Sequence, residues 1–261
     1  MPTVSNDKHG YLTELKLYSA HALITEPGRY FKIPEQQRQF SWDENTINRL
    51  IEDIVKDMKR RMIKVAHDIP AFDRHAVSFI GTVVCCKETS DHAYAVIDGQ
   101  QRLTVFMILS IILHDYINDS MSTISESNLK KQCAKINSKL EVMIEQHHNN
   151  QEDFRPRMIR ESEDIWPGQG TSAQYKSPIS HYVSHYGKYC RELRQSEAQK
   201  FLDYYNQLAN ENEQMAEDHR YKQFGNAVNN IKNKIDGICK HDSKELHGIE
   251  KNFSKSRQCK R

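Results

Sequence analysis

The run Val96-Ile97-Asp98-Gly99-Gln100-Gln101-Arg102-Leu103-Thr104 constrains the chain more than any other segment. Apolar residues end in Asp-Gly, polar residues follow, and an almost wholly apolar stretch, Leu103 to Leu113, begins at once. That order reads as a strand, a tight turn and a buried helix. Glycine permits close approach of the backbone to a ligand. The free N–H groups at a helix start favour an anion. Arginine forms two parallel bonds to phosphate oxygens, and aspartate holds a metal ion or positions a water. The junction therefore predicts a site for a phosphate-bearing ligand. The bland reading is a tight turn with a surface arginine, yet two glutamines and an arginine before an apolar helix have no packing reason to be there.

A second cluster has the same chemistry. In Ile33-Pro34-Glu35-Gln36-Gln37-Arg38-Gln39-Phe40-Ser41-Trp42, the pair Gln37-Arg38 repeats the Gln-Arg of the first. Phe40 and Trp42 read as a staple at a helix entry, and Gln37 and Arg38 as ligand contacts. Ile47, Leu50, Ile51, Ile54, Val55, Met58 and Met62 then line one helical face, with Ser41 and Glu44 spaced for a capping box. A polar linker with His67, Asp68 and Pro70 follows. Ser78 to Cys86 predicts a strand, paired across a turn at Ser90-Asp91 with a second strand, Ala93 to Ile97. Gly81-Thr82 falls inside the first of these. A glycine there marks either close approach of a ligand or a simple bulge.

Residues 12–34 suggest short extended pieces. Beyond Asn118 the pattern turns helical: Leu129, Cys133, Ile136, Leu140, Met143 and Ile144 share a face, Trp166 to Gly170 is a turn, and further helices are predicted over roughly 178–207 and 211–237. Residues 221–261 carry ten Lys/Arg against four Asp/Glu and end in a stretch that reads as poorly ordered. The expected domains are 1–118 and 119–261.

The 261 residues have a formal net charge of +2, so any nucleic-acid contact must come from a local patch. The apolar stretch is too short to span a bilayer. No secretion signal is visible, so a cytoplasmic protein with six free cysteines is expected. His181 and His185 share a helical face, but Tyr182 stands where a zinc protease needs glutamate; they read as ordinary packed histidines. Cys239, His241, His247 and Cys259 match no common zinc finger.

Together the motifs resemble the N-terminal domain of GmrSD-type, modification-dependent restriction endonucleases, which groups with ParB and sulfiredoxin-like proteins. That family shows Ile-Pro-x-Tyr-Gln-Arg-x-Tyr-x-Trp, an amphipathic helix, Phe-x-Gly-Ser/Thr, and Asp-Gly-Gln-Gln-Arg-Leu-Thr. Here Ile33, Pro34, Gln37, Arg38, Phe40 and Trp42 are followed by Phe79, Gly81 and Thr82, then by Asp98 to Thr104. Order and spacing agree over residues 29–117. The likeness is fainter through Arg157-Met158-Ile159, Asp164 and Tyr182 to Tyr189. Gln36 stands where the family has tyrosine. The family's later Phe-x-x-Leu-Asn-x-x-Gly segment and a His-Asn-His nuclease pattern are not seen, and the helical half reads as incomplete.

The resemblance implies an α/β fold: a small ParB/sulfiredoxin-like mixed sheet with helices, then a mainly helical C-terminal half. It implies a nucleoside triphosphatase with Mg²⁺ that gates restriction of modified or foreign DNA, with a separate His-Asn-His nuclease as partner. Catalysis would fall to Asp98, Gln101 and Arg102, with Asp98 as the magnesium ligand. Gln37, Arg38, Gly81, Thr82, Gly99, Gln100 and Thr104 would hold phosphate. The alternatives are a ParB-like module that binds DNA or nucleotide without turnover, and a truncated inactive fragment.

Overall fold

A computed structural model describes residues 16–64, 80–88, 93–145, 155–165, 172–194 and 200–258, with side chains through Arg60 in the second helix and through Lys240 in the last. The expected linker at 65–79, the Ser90-Asp91 turn and the turn at Trp166 to Gly170 lie outside these residues.

In chain order the elements are α1 (Ala20–Thr25), β1 (Tyr30–Ile33), α2 (Glu44–Lys64), β2 (Val84–Lys87), β3 (Ala93–Asp98), α3 (Gln100–Met121), α4 (Ser127–Ile144), β4 (Met158–Arg160), α5 (Pro178–Lys188), a π-helical turn (Tyr189–Leu193), α6 (Phe201–Glu211), α7 (Glu213–Glu217) and α8 (His219–Gln258). Four strands form one mixed sheet in the order β2-β3-β1-β4. β1 runs parallel to both β3 and β4, and β2 and β3 form the expected antiparallel pair. The predicted class, an α/β fold with a small mixed sheet and a helical C-terminal half, is what the chain adopts. The sheet draws β4 from beyond residue 118.

Helix α3 organises the molecule. Leu103, Val105, Phe106, Met107, Ile108 and Ile111 are buried, and at 3.6 residues per turn they are distributed all round the helix. A helix apolar all round belongs inside a protein. It packs among Phe31 and Val96 of the sheet, Ile47 and Ile51 of α2, Tyr182 and Tyr186 of α5, and Phe224 and Ile231 of α8. Each such side chain contributes about 1.5–3 kcal/mol on burial. The start of α3 is thus fixed by the main core.

Buried polar groups tie the outer elements to this core. Arg157 donates to the carbonyls of Val142 (3.0 Å) and Arg29 (2.9 Å), joining the end of α4 and the start of β1 to β4. Burial pulls its guanidinium down to about 10. Asp164 accepts from the backbone N–H groups of Arg160, Lys176 and Ser177 and from the hydroxyls of Ser177 and Ser180, at 2.6 to 2.8 Å. A buried carboxylate needs such partners, and these lock the end of β4 to the start of α5.

Several local expectations are corrected. Residues 20–25 form a helix, capped by the Ser19 side chain, instead of an extended piece. The cap of α2 is Asp43, whose carboxylate accepts from the N–H of Thr46 at 2.8 Å, so the Ser41–Glu44 capping box does not form. Gly81 and Thr82 precede β2 instead of lying within it. Met58 is about half exposed, at the edge of the α2 stripe. The stripe on α4 is buried only at Met143 and Ile144; Leu129 and Ile136 are exposed. The last helix runs from His219 to Gln258, so its backbone is helical where the basic end read as loose. No helix among the described residues is long and apolar enough to cross a membrane.

Candidate functional site

Gly99 follows β3 and opens α3 in the left-handed region, at φ 92° and ψ 5°, with no side-chain cap from the residue itself. A Cβ there would lie 3.0 Å from the Thr82 carbonyl and 3.0 Å from Cγ2 of Val83. Only glycine accommodates both the dihedral and the approach. The first turn of a 22-residue helix therefore presents its N–H groups and the positive end of its dipole without a side-chain acceptor.

The segment Pro34–Ser41 passes across this helix start and is held by side-chain amides. Nε2 of Gln37 donates to the Ile97 carbonyl at 3.0 Å. Nε2 of Gln100 donates to the Arg38 carbonyl at 2.7 Å, and Nε2 of Gln101 to the Gln39 carbonyl at 3.0 Å. Oε1 of Gln101 accepts from the N–H of Ser41 at 2.8 Å. Phe40 meets Phe224 of α8 edge-on at 6.3 Å, anchoring the segment in the core.

The result is an open cleft of about 220 Å³, lined by Gln37, Arg38, Trp42, Asp98, Gly99, Gln100, Gln101 and Arg102. The two Gln-Arg clusters, some 60 residues apart in sequence, thus share one site. Arg38 and Asp98 are exposed and Arg102 is half-buried. Nη1 of Arg102 donates to the Thr82 carbonyl at 2.6 Å, and its guanidinium crosses Gly81, whose φ is 108°. Gly81 and Thr82 therefore brace Arg102 and do not themselves line the cleft. Thr104 is buried. Its hydroxyl donates to the Gln100 carbonyl at 2.9 Å and approaches the Met158 sulfur at 3.7 Å, so it faces the core.

The family model of the GmrSD restriction endonuclease N-terminal domain matches residues 20–256. The chain belongs to that family. No curated protein matches it. Membership points to a role in a restriction system. In this GmrSD domain the match runs through the helical half as well as the sheet.

Sequence reading of the GmrSD domain gave Gln100 and Gln101 a ligand role. Both border the cleft, but they are nearly buried, and the bonds described above spend them on the Arg38–Ser41 backbone. Three contributors were not among the candidates. Trp42 lines the cleft. Arg160, on β4, donates through Nη2 to the Gln37 carbonyl and through Nη1 to the Arg38 carbonyl at 3.4 Å. Glu163 accepts from Nε2 of Gln39 at 2.8 Å. No local pattern in Arg157 to Asp164 signals that contact.

The other candidates lie away from the cleft. His181 and His185 share a face with ring centroids 4.0 Å apart. Nδ1 of His181 is 3.1 Å from the Tyr205 hydroxyl, and burial pushes this histidine down to about 3. Nδ1 of His185 is 2.9 Å from the His181 carbonyl. Cys85, Cys86, Cys133 and Cys190 are free thiols, and Cys239 is in no disulfide. The side chains of His241, His247 and Cys259 lie outside the described residues.

Proposed function

We propose that the cleft binds a nucleoside triphosphate with Mg²⁺ and hydrolyses it, and that this gates restriction of modified or foreign DNA. One observation carries the reading: an uncapped helix start, opened by Gly99 and flanked by Asp98 and Arg102, shares a single cleft with Arg38. The N–H groups of the first turn of α3 receive phosphate oxygens. Arg38 and Arg102 neutralise charge that develops during phosphoryl transfer. Asp98 supplies the carboxylate for Mg²⁺, or orients the attacking water. The fit is sound, because magnesium is commonly held by one or two carboxylates together with substrate phosphates. Magnesium, when bound, offsets phosphate charge and polarises the phosphoryl oxygens. DNA cutting is assigned to a separate His-Asn-His nuclease subunit.

Calorimetry with each ribonucleoside triphosphate and Mg²⁺, paired with phosphate release with and without modified DNA, tests this. Asp98→Asn should abolish release while binding persists. Absence of triphosphate binding by folded wild-type protein removes the reading. A second reading, binding without turnover, draws support from Gln100 and Gln101, whose polar atoms hold the backbone. Among the described residues that line the cleft, Asp98 is then the one carboxylate to orient water. Tight binding with no release under any DNA condition selects that alternative.

A further inference from the structure

Arg160 is the last residue of β4 and is 5% exposed. Burying a guanidinium is costly unless its donors are paired. Here the fork meets two consecutive carbonyls, those of Gln37 and Arg38, while Nε lies 3.1 Å from Oε1 of Glu163 as an ion pair without hydrogen-bond geometry. Burial pulls its pKa below the ordinary arginine value and Glu163 opposes that pull; an arginine stays charged regardless. A lysine could not reproduce the two-pronged grip.

Glu163 extends the hold in two directions. One oxygen accepts from Nε2 of Gln39 at 2.8 Å. The other lies 2.7 Å from Nη1 of Arg220, near the start of α8. Arg220 is in turn tied to Asp218, Nη2 to Oδ2 at 2.6 Å. Residues 37, 38 and 39 thus hang between two supports. One is the first turn of α3, through Gln100 and Gln101. The other is an ion chain, Arg160–Glu163–Arg220, that reaches α8.

We propose that Arg160 is a positioning residue for the cleft: it fixes the Gln37–Arg38 backbone so that the Arg38 guanidinium is presented to the ligand, and Glu163 and Arg220 hold Arg160 in place. This rests on the reading of the cleft as a nucleotide site. Arg160 acts through Arg38, so its effect must vanish once Arg38 is gone.

A double-mutant cycle measures that dependence. Affinity for each ribonucleoside triphosphate with Mg²⁺ is read by calorimetry for wild type, Arg38→Ala, Arg160→Gln and the double variant. Arg38→Ala and Arg160→Gln should each weaken binding about tenfold, the worth of one charge-assisted hydrogen bond. The double variant should be no weaker than Arg38→Ala alone. Arg220→Gln, at the partly exposed end of the chain, should give a smaller loss that also disappears in the Arg38→Ala background. If Arg160→Gln does not fold, Arg160→Gln/Glu163→Gln, which leaves no unpaired buried charge, takes its place in the cycle. Losses that multiply, or an Arg160 variant that binds like wild type, overturn the positioning role. If wild type binds no triphosphate, the nucleotide reading falls and this proposal with it. If wild type binds and Arg38→Ala binds equally well, the nucleotide reading stands while the positioning role falls.

Discussion

The guanidinium of Arg102 occupies the space that a side chain on Gly81 would need. A Cβ built on Gly81 would lie 2.6 Å from Cζ of Arg102. The far end of an arginine moves easily, so Gly81→Ala should displace Arg102 at modest cost to the fold. The positive φ adds about 1–2 kcal/mol of strain. Triphosphate affinity should fall about tenfold, as for Arg102→Ala. Calorimetry beside thermal unfolding checks this; unchanged affinity in a folded variant would mean that Arg102 does not depend on Gly81.

Gly99 gives the sterner case. A Cβ there meets backbone atoms of Thr82 and Val83 at about 3 Å, and backbone cannot swing aside. Gly99→Ala should cost about 1–3 kcal/mol in stability and weaken anion binding as well. Urea unfolding measures the first. A variant as stable as wild type would contradict the left-handed opening of α3.

Gln101→Glu separates the clamp from the cleft. The carboxylate can still accept from the N–H of Ser41, but it sets an oxygen against the Gln39 carbonyl, which now receives a hydrogen bond at 3.0 Å. A loss of about 1–3 kcal/mol in stability is expected. Hydrogen exchange at Ser41 should rise little, since its acceptor remains. If stability holds and only phosphate release falls, Gln101 serves chemistry instead of holding the segment.

Acid should loosen the helical half. Burial, with Arg194 adding to it, holds His114 down to about 4 from an ordinary 6.5. Its Nδ1 is 2.6 Å from the Tyr186 hydroxyl. The unfolded chain takes up a proton near 6.5 that the folded chain refuses until about 4. Stability is therefore lost as pH falls through that interval. His114→Gln should flatten the decline by at most about 3 kcal/mol. Urea unfolding at several pH values in that interval, wild type against variant, gives the answer; identical slopes would show that His114 contributes nothing.

The strand–turn–helix junction was legible because each part has a local cause: Val96 as core, Gly99 as turn, and an apolar run as helix. The pairing of Gln37-Arg38 with Asp98–Arg102 was legible through repeated chemistry and family likeness. What the glutamines do was not. Gln100 and Gln101 have the composition of a ligand site, and only tertiary placement shows their amides turned toward the Arg38–Ser41 backbone. Arg160 was out of reach for a similar reason, since its contact with Arg38 spans 122 residues. Helix α1 was missed because six residues between Ser19 and Glu26 carry too little periodicity to stand out from an extended reading.

The two walls of the cleft differ in how they tolerate change. The α3 wall is continuous with the core, and a substitution there spreads into Phe31, Tyr182 or Phe224. The opposite wall is a short segment suspended on side-chain bonds, with Gln36 and Arg38 pointing away from the core. Ligand preference can drift along that segment while the fold stands still, so related domains should be able to recognise different molecules by rewriting a handful of loop residues.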